Sequence, residues 1–470
     1  MREAVGEPAP SRPGRGRRPA ARESILDAIR ASEQLSRVEL AAVTGLTEAA
    51  VSMTVRRLLD EGLVVETGRT PTGGKPRTLL RLDPAARLAV GVHLDRDVTT
   101  FVLTGQTGGV ISRLTRPAPS APTVPPQLPV ASPASSAIVS PAPPAAASAS
   151  SAIVSPAPPA AASASSAIVS PASPAAASLV LSSTPAGGDL LAHLVEGIGT
   201  LLAGSGVDHA RCLGIGVVWP APAGGLPPGW DSPPHLRDWD ADRLGRRLAD
   251  ETGWPVLVEN DATAAAVGEY WVARVGPERA FAALYMGSGI GAGIVADGRA
   301  LRGGRGAAGE FGHICVEVDG PPCWCGSRGC LEALAGPRTV VVAARSDPTA
   351  LAETGLGDAT GRGVAADFAA VARAARAGAP HCLALLQNSA RYVAAAAESV
   401  VNLLDVDLVV LTGPGFAAAS FVYGPAIMRR VAPADTKTWR RSVTVTVSLA
   451  AATASATGAA ALVLQSHLRR

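Results

Sequence analysis

The chain has 470 residues, 47% of them hydrophobic, which is enough to fill the cores of two or three domains. It shows no N-terminal signal pattern and no uncharged apolar run of membrane-spanning length, so it is predicted to be a cytoplasmic protein without a membrane partner. In that compartment the six cysteines are expected to be metal ligands, reactive groups or core residues rather than disulfides. The net charge is +3, and the charged residues are unevenly distributed along the chain. Residues 1–82 carry 14 basic and 10 acidic side chains, which favours an anion-binding module at this end.

The N-terminal region predicts a disordered basic arm followed by a helix-turn-helix. Residues 1–21 are rich in Pro, Gly and Arg and have no apolar periodicity. Residues 22–83 then hold three short amphipathic helical patterns, the second opened by the capping-box pair Ser36 and Glu39 and closed by Gly45. Three short helices with a tight turn before the third are typical of a helix-turn-helix.

Two short strands after the third helix predict a wing. The segments "LVVET" and "TLLRL" flank the flexible cationic loop "GRTPTGGKPR". The third helix would enter the major groove, while basic side chains would contact phosphates. The predicted DNA-binding residues are Thr47, Glu48, Ala50, Ser52 and Thr54 near base edges, with Arg56, Arg57, Arg69, Lys75 and Arg77 at the phosphates. A small helical interaction domain is the alternative, but it gives the cationic wing no purpose.

Residues 116–185 are a low-complexity insertion of Ala, Ser and Pro. The segment "ASSAIVSPAPPAAAS" starts at Ala134, recurs at Ala149 and returns with one change at Ala164. The repeat has no charge and almost no large apolar side chain, which predicts a disordered or polyproline-like segment. The cost of closing a loop grows only logarithmically with its length, so a folded domain tolerates such an insertion.

The segments on either side of the insertion, 88–115 and 186–470, are predicted to form one domain. Two or three strands precede the insertion, and helix, strand, helix and strand patterns follow it. This alternation predicts an α/β fold.

Three motifs in this domain resemble the ROK family of repressors, open reading frames and sugar kinases. They are "LVENDATAAAVGE", "YMGSGIGAGIVADGRALRGGRGAAGEFGH" and "CWCGSRGCLE", and "VVNLLDVDLVVLTGPG" extends the match. The resemblance implies a two-lobed, actin-like ATPase fold. Together with the winged helix, the chain looks like a ROK transcriptional regulator, which the resemblance implies to be a homodimer or a higher homo-oligomer.

The cysteine loop predicts a zinc site. Cys323, Cys325 and Cys330 offer three sulfur ligands, and His313, ten residues before Cys323, supplies the fourth by spacing and by the family match. A closed Cys3His shell leaves no position for water, so the zinc would be structural. A reduced cysteine cluster without metal is the alternative. The other three cysteines are expected in the core: Cys212, Cys315 and Cys382.

The resemblance also implies a sugar site. Its residues are Asn260, Asp261, Glu310, His313 and Glu332. Carboxylate acceptors, and an amide able to donate and accept, suit vicinal hydroxyls. Each residue taken singly could instead be a surface or capping residue.

In the kinases of the family, Asp261 would be the general base. Those kinases cradle nucleotide phosphates with an Asp-x-Gly-Gly-Thr turn, which has become His93 to Asp97 here. An imidazole replaces a magnesium-orienting carboxylate, and Asp95 replaces a glycine that lets backbone approach phosphate. The prediction is that the chain is not an enzyme. A second glycine-rich turn, "GSGIGAG", is still present. Val218 and Trp219 stand where the family usually has a Pro-Gly pair.

The sequence thus predicts a double-stranded-DNA-binding regulator, expected to be a repressor, that responds to a sugar or sugar derivative. Closure of the lobes would shift the spacing of two winged helices in a dimer. An ATP-dependent sugar kinase with an accessory DNA-binding domain is the alternative. A protein-docking platform with an inactive pocket is a third possibility.

Overall fold

The structure is a computed structural model that describes residues 21–70, 76–119, 190–219, 234–236, 239–357, 363–432 and 443–468. Residues 1–20 of the predicted basic arm, most of the Ala-Ser-Pro insertion and the wing residue Lys75 lie outside the described residues, while Ala21, predicted in the arm, is the first residue of a helix.

The N-terminal module is a winged helix-turn-helix, as predicted. Its elements are α1 (Ala21–Ser32), β1 (Leu35–Ser36), α2 (Arg37–Thr44), α3 (Glu48–Asp60), β2 (Val64–Thr70) and β3 (Arg77–Leu82). The Ser36 hydroxyl accepts from the Glu39 N–H, and the Glu39 carboxylate accepts from the Ser36 N–H, so the capping box forms. Gly45, at φ +66°, ends α2 in the left-handed conformation that glycine adopts without strain. The short strand β1, which pairs with β3, was not predicted.

The first lobe is built on a five-stranded sheet. Its strands are β4 (Leu88–Leu94), β5 (Val98–Gly105), β6 (Val110–Pro117), β7 (Cys212–Trp219) and β8 (Val256–Asn260). The sheet order is β6-β5-β4-β7-β8, with the first three strands antiparallel and the last three parallel. Leucines of α4 (Leu190–Ser205) and α5 (Ala241–Thr252) cover one face of this sheet.

The second lobe repeats this arrangement. It begins with α6 (Asp261–Val272), β9 (Phe281–Met286), β10 (Ile290–Ala296) and β11 (Arg299–Ala300). A helical layer follows: α7 (Leu331–Ala335), α8 (Pro337–Ser346), α9 (Pro348–Thr354), α10 (Val364–Arg376) and α11 (Pro380–Leu404). The last elements are β12 (Leu408–Thr412), α12 (Pro414–Val431), β13 (Thr444–Val447) and α13 (Ala454–Leu468). The sheet order is β11-β10-β9-β12-β13. Two mixed sheets of the same design confirm the predicted two-lobed α/β architecture.

The helices α6 and α13 pack against each other between the two sheets. A Cβ added at Gly458 would overlap the carbonyl oxygen of Ala264, and one at Gly268 would overlap that of Ala454. The two backbones are therefore in direct contact. On its other side, α13 reaches the first sheet, where Gly91 and Gly216 leave room for it in the same way.

The winged helix module is packed directly on the two-lobed body. Its buried side chains form one continuous core with residues of α6 and α13. The Gln106 amide, in the turn between β5 and β6, donates to the main-chain oxygens of Leu63 and Asp83 at 2.8 and 2.6 Å. The orientation of the module is therefore fixed by packing as well as by the chain connection.

Within the described ranges, no single helix combines the length and apolar content needed to cross a membrane. Only α2 and α3, bent by 118° at their junction, reach that length and composition as a pair.

The contact between α6 and α13 predicts a strong sensitivity to added side-chain volume. Gly458→Ala should lower the free energy of unfolding by about 3 kcal/mol, because its Cβ has no space beside Ala264. Gly199→Ala in α4 is the matched control, since a Cβ there meets nothing within 4 Å, and its stability should be unchanged or slightly raised. Urea unfolding curves measure both changes. Equal midpoints for the two variants would contradict the close packing.

Candidate functional site

A cleft in the body collects all five residues of the predicted sugar site. Asn260, Asp261, Glu310, His313 and Glu332 line it, from the start of α6, the loop before the 3-10 turn Phe311–His313, that turn itself, and the start of α7. Counting the space open to solvent, the cleft encloses about 750 Å³. Among the lining side chains that sequence reasoning missed are Tyr285, Ser288 and Trp324. Their only sequence signal was their position inside or beside the matched motifs.

Asn260 caps the helix that begins in the cleft. Its Oδ1 accepts hydrogen bonds from the N–H groups of Ala262 and Thr263, at 2.9 and 3.1 Å. These bonds satisfy two free N–H groups of the first turn. The side-chain oxygen is therefore committed to the helix, and only the amide NH2 is left for a ligand. The sequence had predicted that this amide would both donate to and accept from the ligand.

Asp261 is a partly buried residue at the first position of α6. Its pKa is raised to about 6, mainly by burial and in part by the negative charges of Asp95 and Glu310, while the hydrogen bond from the Ala262 N–H lowers it. Near neutral pH this group can therefore exchange a proton as well as accept hydrogen bonds.

Glu332 is held in one orientation by its surroundings. Its Oε2 accepts from the Ile290 N–H at 2.8 Å, and Gly289, Gly312 and Gly336 crowd around the carboxylate. Burial raises its pKa to about 7. Glu310 is the most exposed of the five residues, and partial burial raises its pKa as well. The cleft thus holds three carboxyl groups that are all easier to protonate than in water.

Beside the cleft, His313, Cys323, Cys325 and Cys330 bring their donor atoms within 4.8 Å of one another. The Cys323 Sγ lies 3.6 Å from the His313 Nδ1, and the Cys325 Sγ lies 3.7 Å from the Cys330 Sγ. A tetrahedral zinc with ordinary bond lengths separates two sulfur ligands by about 3.8 Å, and a sulfur and a nitrogen by about 3.6 Å. The four side chains therefore fit a tetrahedral metal ion.

One cysteine prediction was wrong. Cys315 is exposed, whereas Cys212 and Cys382 are buried as predicted. Cys315 lies in a short extended segment that pairs with Cys330, where side chains alternate between two sides. Its neighbours Ile314 and Val316 take the inward positions and pack against the core, so Cys315 points outward.

The turn around His93 to Asp97 joins the two lobes. In the first lobe it connects β4 to β5, and the Asp97 Oδ2 accepts from the Gly363 N–H at 3.1 Å, at the start of α10 in the second lobe. Burial lowers the pKa of His93 at the other end of the turn. Val218 and Trp219 are buried at the end of β7, and Trp219 is paired with Asn260 in the sheet.

The predicted DNA-binding residues divide into exposed, partly buried and undescribed groups. On α3 the side chains of Val51, Val55 and Leu58 are buried, which leaves the opposite face to solvent. The exposed predicted residues are Thr47, Glu48, Ser52, Arg56, Arg57, Arg69 and Arg77, while Ala50 and Thr54 are partly buried. The Thr47 hydroxyl accepts from the Ala50 N–H at 3.3 Å, so it serves first as the helix cap. Exposed Met53 lies on the same helix and was not predicted.

Two sequence profiles match the chain. The ROK family profile matches residues 188–466, and the profile "Winged helix-turn-helix DNA-binding" matches residues 20–65. A glucokinase from Streptomyces coelicolor is 35% identical over 181 residues, which are 37% of this chain and 56% of that enzyme. A protein from Caldicellulosiruptor sp., provisionally named a xylose repressor, is 36% identical over 125 residues, which are 27% of this chain and 30% of that protein. The chain thus spans little more than half the length of the glucokinase.

Two solved structures share the fold. One is a ROK family transcriptional regulator, a homologue of the E. coli MLC protein, with a TM-score of 0.58 and 20% identity, covering 95% of this chain and 96% of that one. The other is a ROK hexokinase from Thermus thermophilus, with a TM-score of 0.51 and 24% identity, covering 80% of this chain and 98% of that one. The family resemblance of the motifs is confirmed. Because the matching profile covers more than half of its residues, the chain belongs to the ROK family, and it carries a winged helix-turn-helix at its N-terminal end.

Proposed function

We propose that this chain is a DNA-binding transcriptional regulator of the ROK family, whose body binds a sugar or sugar derivative and does not transfer phosphate. The observation that carries the proposal is the shared core of the winged helix module and the body that contains the cleft. One packed unit combines a groove-reading helix with a ligand site. Both the architecture shared with a ROK regulator and the provisionally named xylose repressor support this function.

The DNA-binding surface consists of α3 and the wing. The buried stripe of α3 leaves an exposed face that fits the major groove. Arg56 on this face and Arg69 in the wing are exposed, and within the described ranges neither has an ion-pair partner. Such side chains can meet phosphates without first breaking an internal contact. A homodimer would present two copies of α3 to successive major grooves.

The ligand site is suited to a polyhydroxylated molecule. Asp261, Glu310 and Glu332 offer carboxylate acceptors, and the Asn260 NH2 donates. Relatives named glucokinase and N-acetylmannosamine kinase support the sugar class. His313 would contribute its Nε2, because its Nδ1 faces the cysteine sulfurs.

Zinc is the metal that this donor set suits best. The spacing of His313, Cys323, Cys325 and Cys330 supports a closed tetrahedral shell, in which zinc acts as a structural cross-link. Such a shell would fix the ring of His313 and, two residues after Cys330, the position of Glu332. The cluster would therefore hold one side of the sugar site in place.

The first turn of the body argues against phosphoryl transfer. By the family match it corresponds to the phosphate-binding turn, yet it carries two carboxylates, Asp95 and Asp97. The Asp97 carboxylate already accepts a hydrogen bond from the Gly363 N–H at the start of α10. A helix N-terminus favours phosphate binding, so Asp97 occupies a donor that a phosphate would otherwise use. Asp95 adds negative charge near Asp261, as the raised pKa of Asp261 indicates. A triphosphate would meet repulsion at both positions.

A sugar kinase with an accessory DNA-binding domain is the second candidate. It is favoured by Asp261, which lies in the cleft with its pKa raised to about 6, a value suited to a general base. The glucokinase relatives belong to this class of protein.

We expect no sugar-dependent release of ADP from ATP and magnesium with D-glucose, N-acetyl-D-mannosamine or D-xylose, because the phosphate turn is carboxylate-rich. A coupled ADP assay measures this, with the Streptomyces coelicolor glucokinase and D-glucose as the positive control. Sugar-dependent turnover that disappears in Asp261→Asn would establish the kinase instead.

We expect the purified chain to contain about one zinc per chain, and Cys325→Ser to lose most of it, because three remaining ligands leave the shell open. Cys315→Ser is the matched control, since Cys315 is exposed and lies outside the four-residue cluster. Elemental analysis by mass spectrometry measures the content. Equal zinc in both variants would exclude the site.

For DNA binding, Arg56→Gln and Arg69→Gln should each weaken affinity for duplexes selected from a random library, and each should reduce the slope of log affinity against log salt by about one. Arg246→Gln, an exposed cation on α5 in the first lobe, should change neither quantity. Fluorescence anisotropy over a salt series gives both values. If no duplex is retained at low ionic strength, the proposed regulator function is wrong.

A further inference from the structure

One helix joins the ligand cleft to the DNA-binding module. The 12 residues of α6 begin at Asp261, inside the cleft, and end at Val272, beside the winged helix. At the usual rise per residue the helix is about 18 Å long. Its first turn is held by the Asn260 cap in the cleft wall. Its last turn contacts α1 of the module.

That contact is made by Arg30, a buried side chain of α1. Its two terminal nitrogens donate to the main-chain oxygens of Tyr270 and Val275, both at 3.0 Å, at the C-terminal end of α6 and just beyond it. The guanidinium lies 4.0 Å from the centre of the Tyr270 ring and 5.6 Å from that of Trp271. A cation at this end also complements the helix dipole. Arg30 therefore binds the module to the end of α6 through a planar, two-pronged contact.

Two ion pairs flank this contact. Arg274, just after α6, pairs with Glu33, just after α1, and Arg299 pairs with Glu23 at 2.9 Å. Both Glu33 and Arg274 have left-handed backbones, at φ 63° and φ 51°, which is uncommon for residues other than glycine. The chain therefore takes a left-handed conformation just after α1 and again just after α6, where the winged helix module meets the body.

The middle of α6 is packed too tightly to bend when the cleft end of the helix is displaced. Gly268 and the facing Gly458 bring the backbones of α6 and α13 into contact, and the Ser455 hydroxyl donates to the Asp261 main-chain oxygen at 3.2 Å. Nearly every side chain of α6 is buried. The helix must therefore move as one body, and the residues at both ends move with it.

We propose that Arg30 is the positioning residue through which occupation of the cleft changes the placement of the DNA-binding helix. Ligand contacts with Asn260 and Asp261 shift α6 along its axis, and Arg30 transmits the shift to α1. The spacing of the two recognition helices in a dimer changes as a result. This inference rests on the proposed regulator function and adds the residue that couples the cleft to the DNA-binding helix. Thermodynamics requires such a coupling to be reciprocal, so DNA would change the affinity for the ligand by the same factor.

The test compares Arg30→Lys with Arg22→Lys in the full chain. Both changes are on α1 and keep the positive charge, but Arg22 pairs with Glu61 inside the module, whereas Arg30 binds the end of α6. The measured quantity is the ratio of affinities for a selected two-site operator without and with D-glucose, N-acetyl-D-mannosamine or D-xylose. Arg30→Lys should bring that ratio to within twofold of one, while affinity for a single half-site and for the sugar stays within about twofold of wild type. Arg22→Lys should keep the wild-type ratio.

A second measurement needs neither DNA nor sugar. Asn260→Ala, which removes the α6 cap in the cleft, should speed amide hydrogen exchange in α1 in the wild-type background, and should do so much less in the Arg30→Lys background. A purely structural role for Arg30 would give additive effects instead.

The outcomes separate this inference from the proposed function. A wild-type ratio retained in Arg30→Lys, or additive exchange effects, would overturn the role of Arg30 while leaving a DNA-binding regulator intact. The same holds if wild type binds the operator but responds to none of the three sugars. A chain that binds no duplex overturns the proposed function, and the exchange measurement then still decides whether Arg30 couples the two ends of α6.

Discussion

The backbone contact between α6 and α13 is the constraint on which the rest of the structure depends. Because Gly268 and Gly458 carry no side chain, the two helices approach until carbonyl oxygens meet α-carbons, and both sheets are built outward from this pair. The start of α6 forms the wall of the cleft, and its end receives Arg30 of the winged helix module. Ligand site, lobe interface and DNA-binding module therefore share one inflexible part, which a looser contact between larger side chains would not provide.

The contact between the lobes is consistent with the proposal that this scaffold signals and does not transfer phosphate. By the family resemblance, the kinases hold their nucleotide at a glycine-containing turn. Here Asp97, in the corresponding turn, links the lobes by accepting a hydrogen bond from the Gly363 N–H. The contact offers the α10 N-terminus an anion that belongs to the protein itself. Contact between the lobes through Asp97 needs no nucleotide, which is consistent with the proposed response to a sugar alone. The retained Asp261 is compatible with this role, because a carboxyl group that serves as a base also serves as a hydrogen-bond acceptor.

Much of the fold and the site could be predicted from sequence because local rules decide it. The capping box of Ser36 and Glu39, the left-handed Gly45 and the metal-like spacing of the cysteine loop each depend on a few neighbouring residues. What could not be predicted depends on residues far apart in the chain. The docking of Arg30 on Tyr270 joins positions 240 residues apart, and no periodicity marks Arg30 as different from Arg22 on the same helix. The prediction that Cys315 is buried was wrong for the same reason. Tertiary packing decides which side of an extended segment faces the core.

The electrostatics of the cleft indicate what its ligand must supply. Desolvation raises the pKa values of the Asp261 and Glu332 carboxyl groups. Asp261 accepts a hydrogen bond from the Ala262 N–H, and Glu332 accepts one from the Ile290 N–H. A ligand that donates hydroxyl hydrogens to them stabilises their charged forms and lowers both pKa values toward normal. A ligand that only accepts hydrogen bonds leaves the desolvation cost in place, and an anion increases it. The proposed sugar ligand meets this requirement, because its hydroxyl groups can donate to both carboxyl groups. Contacts with Asp261 would act on the first turn of α6, the end from which the proposed shift reaches the winged helix module.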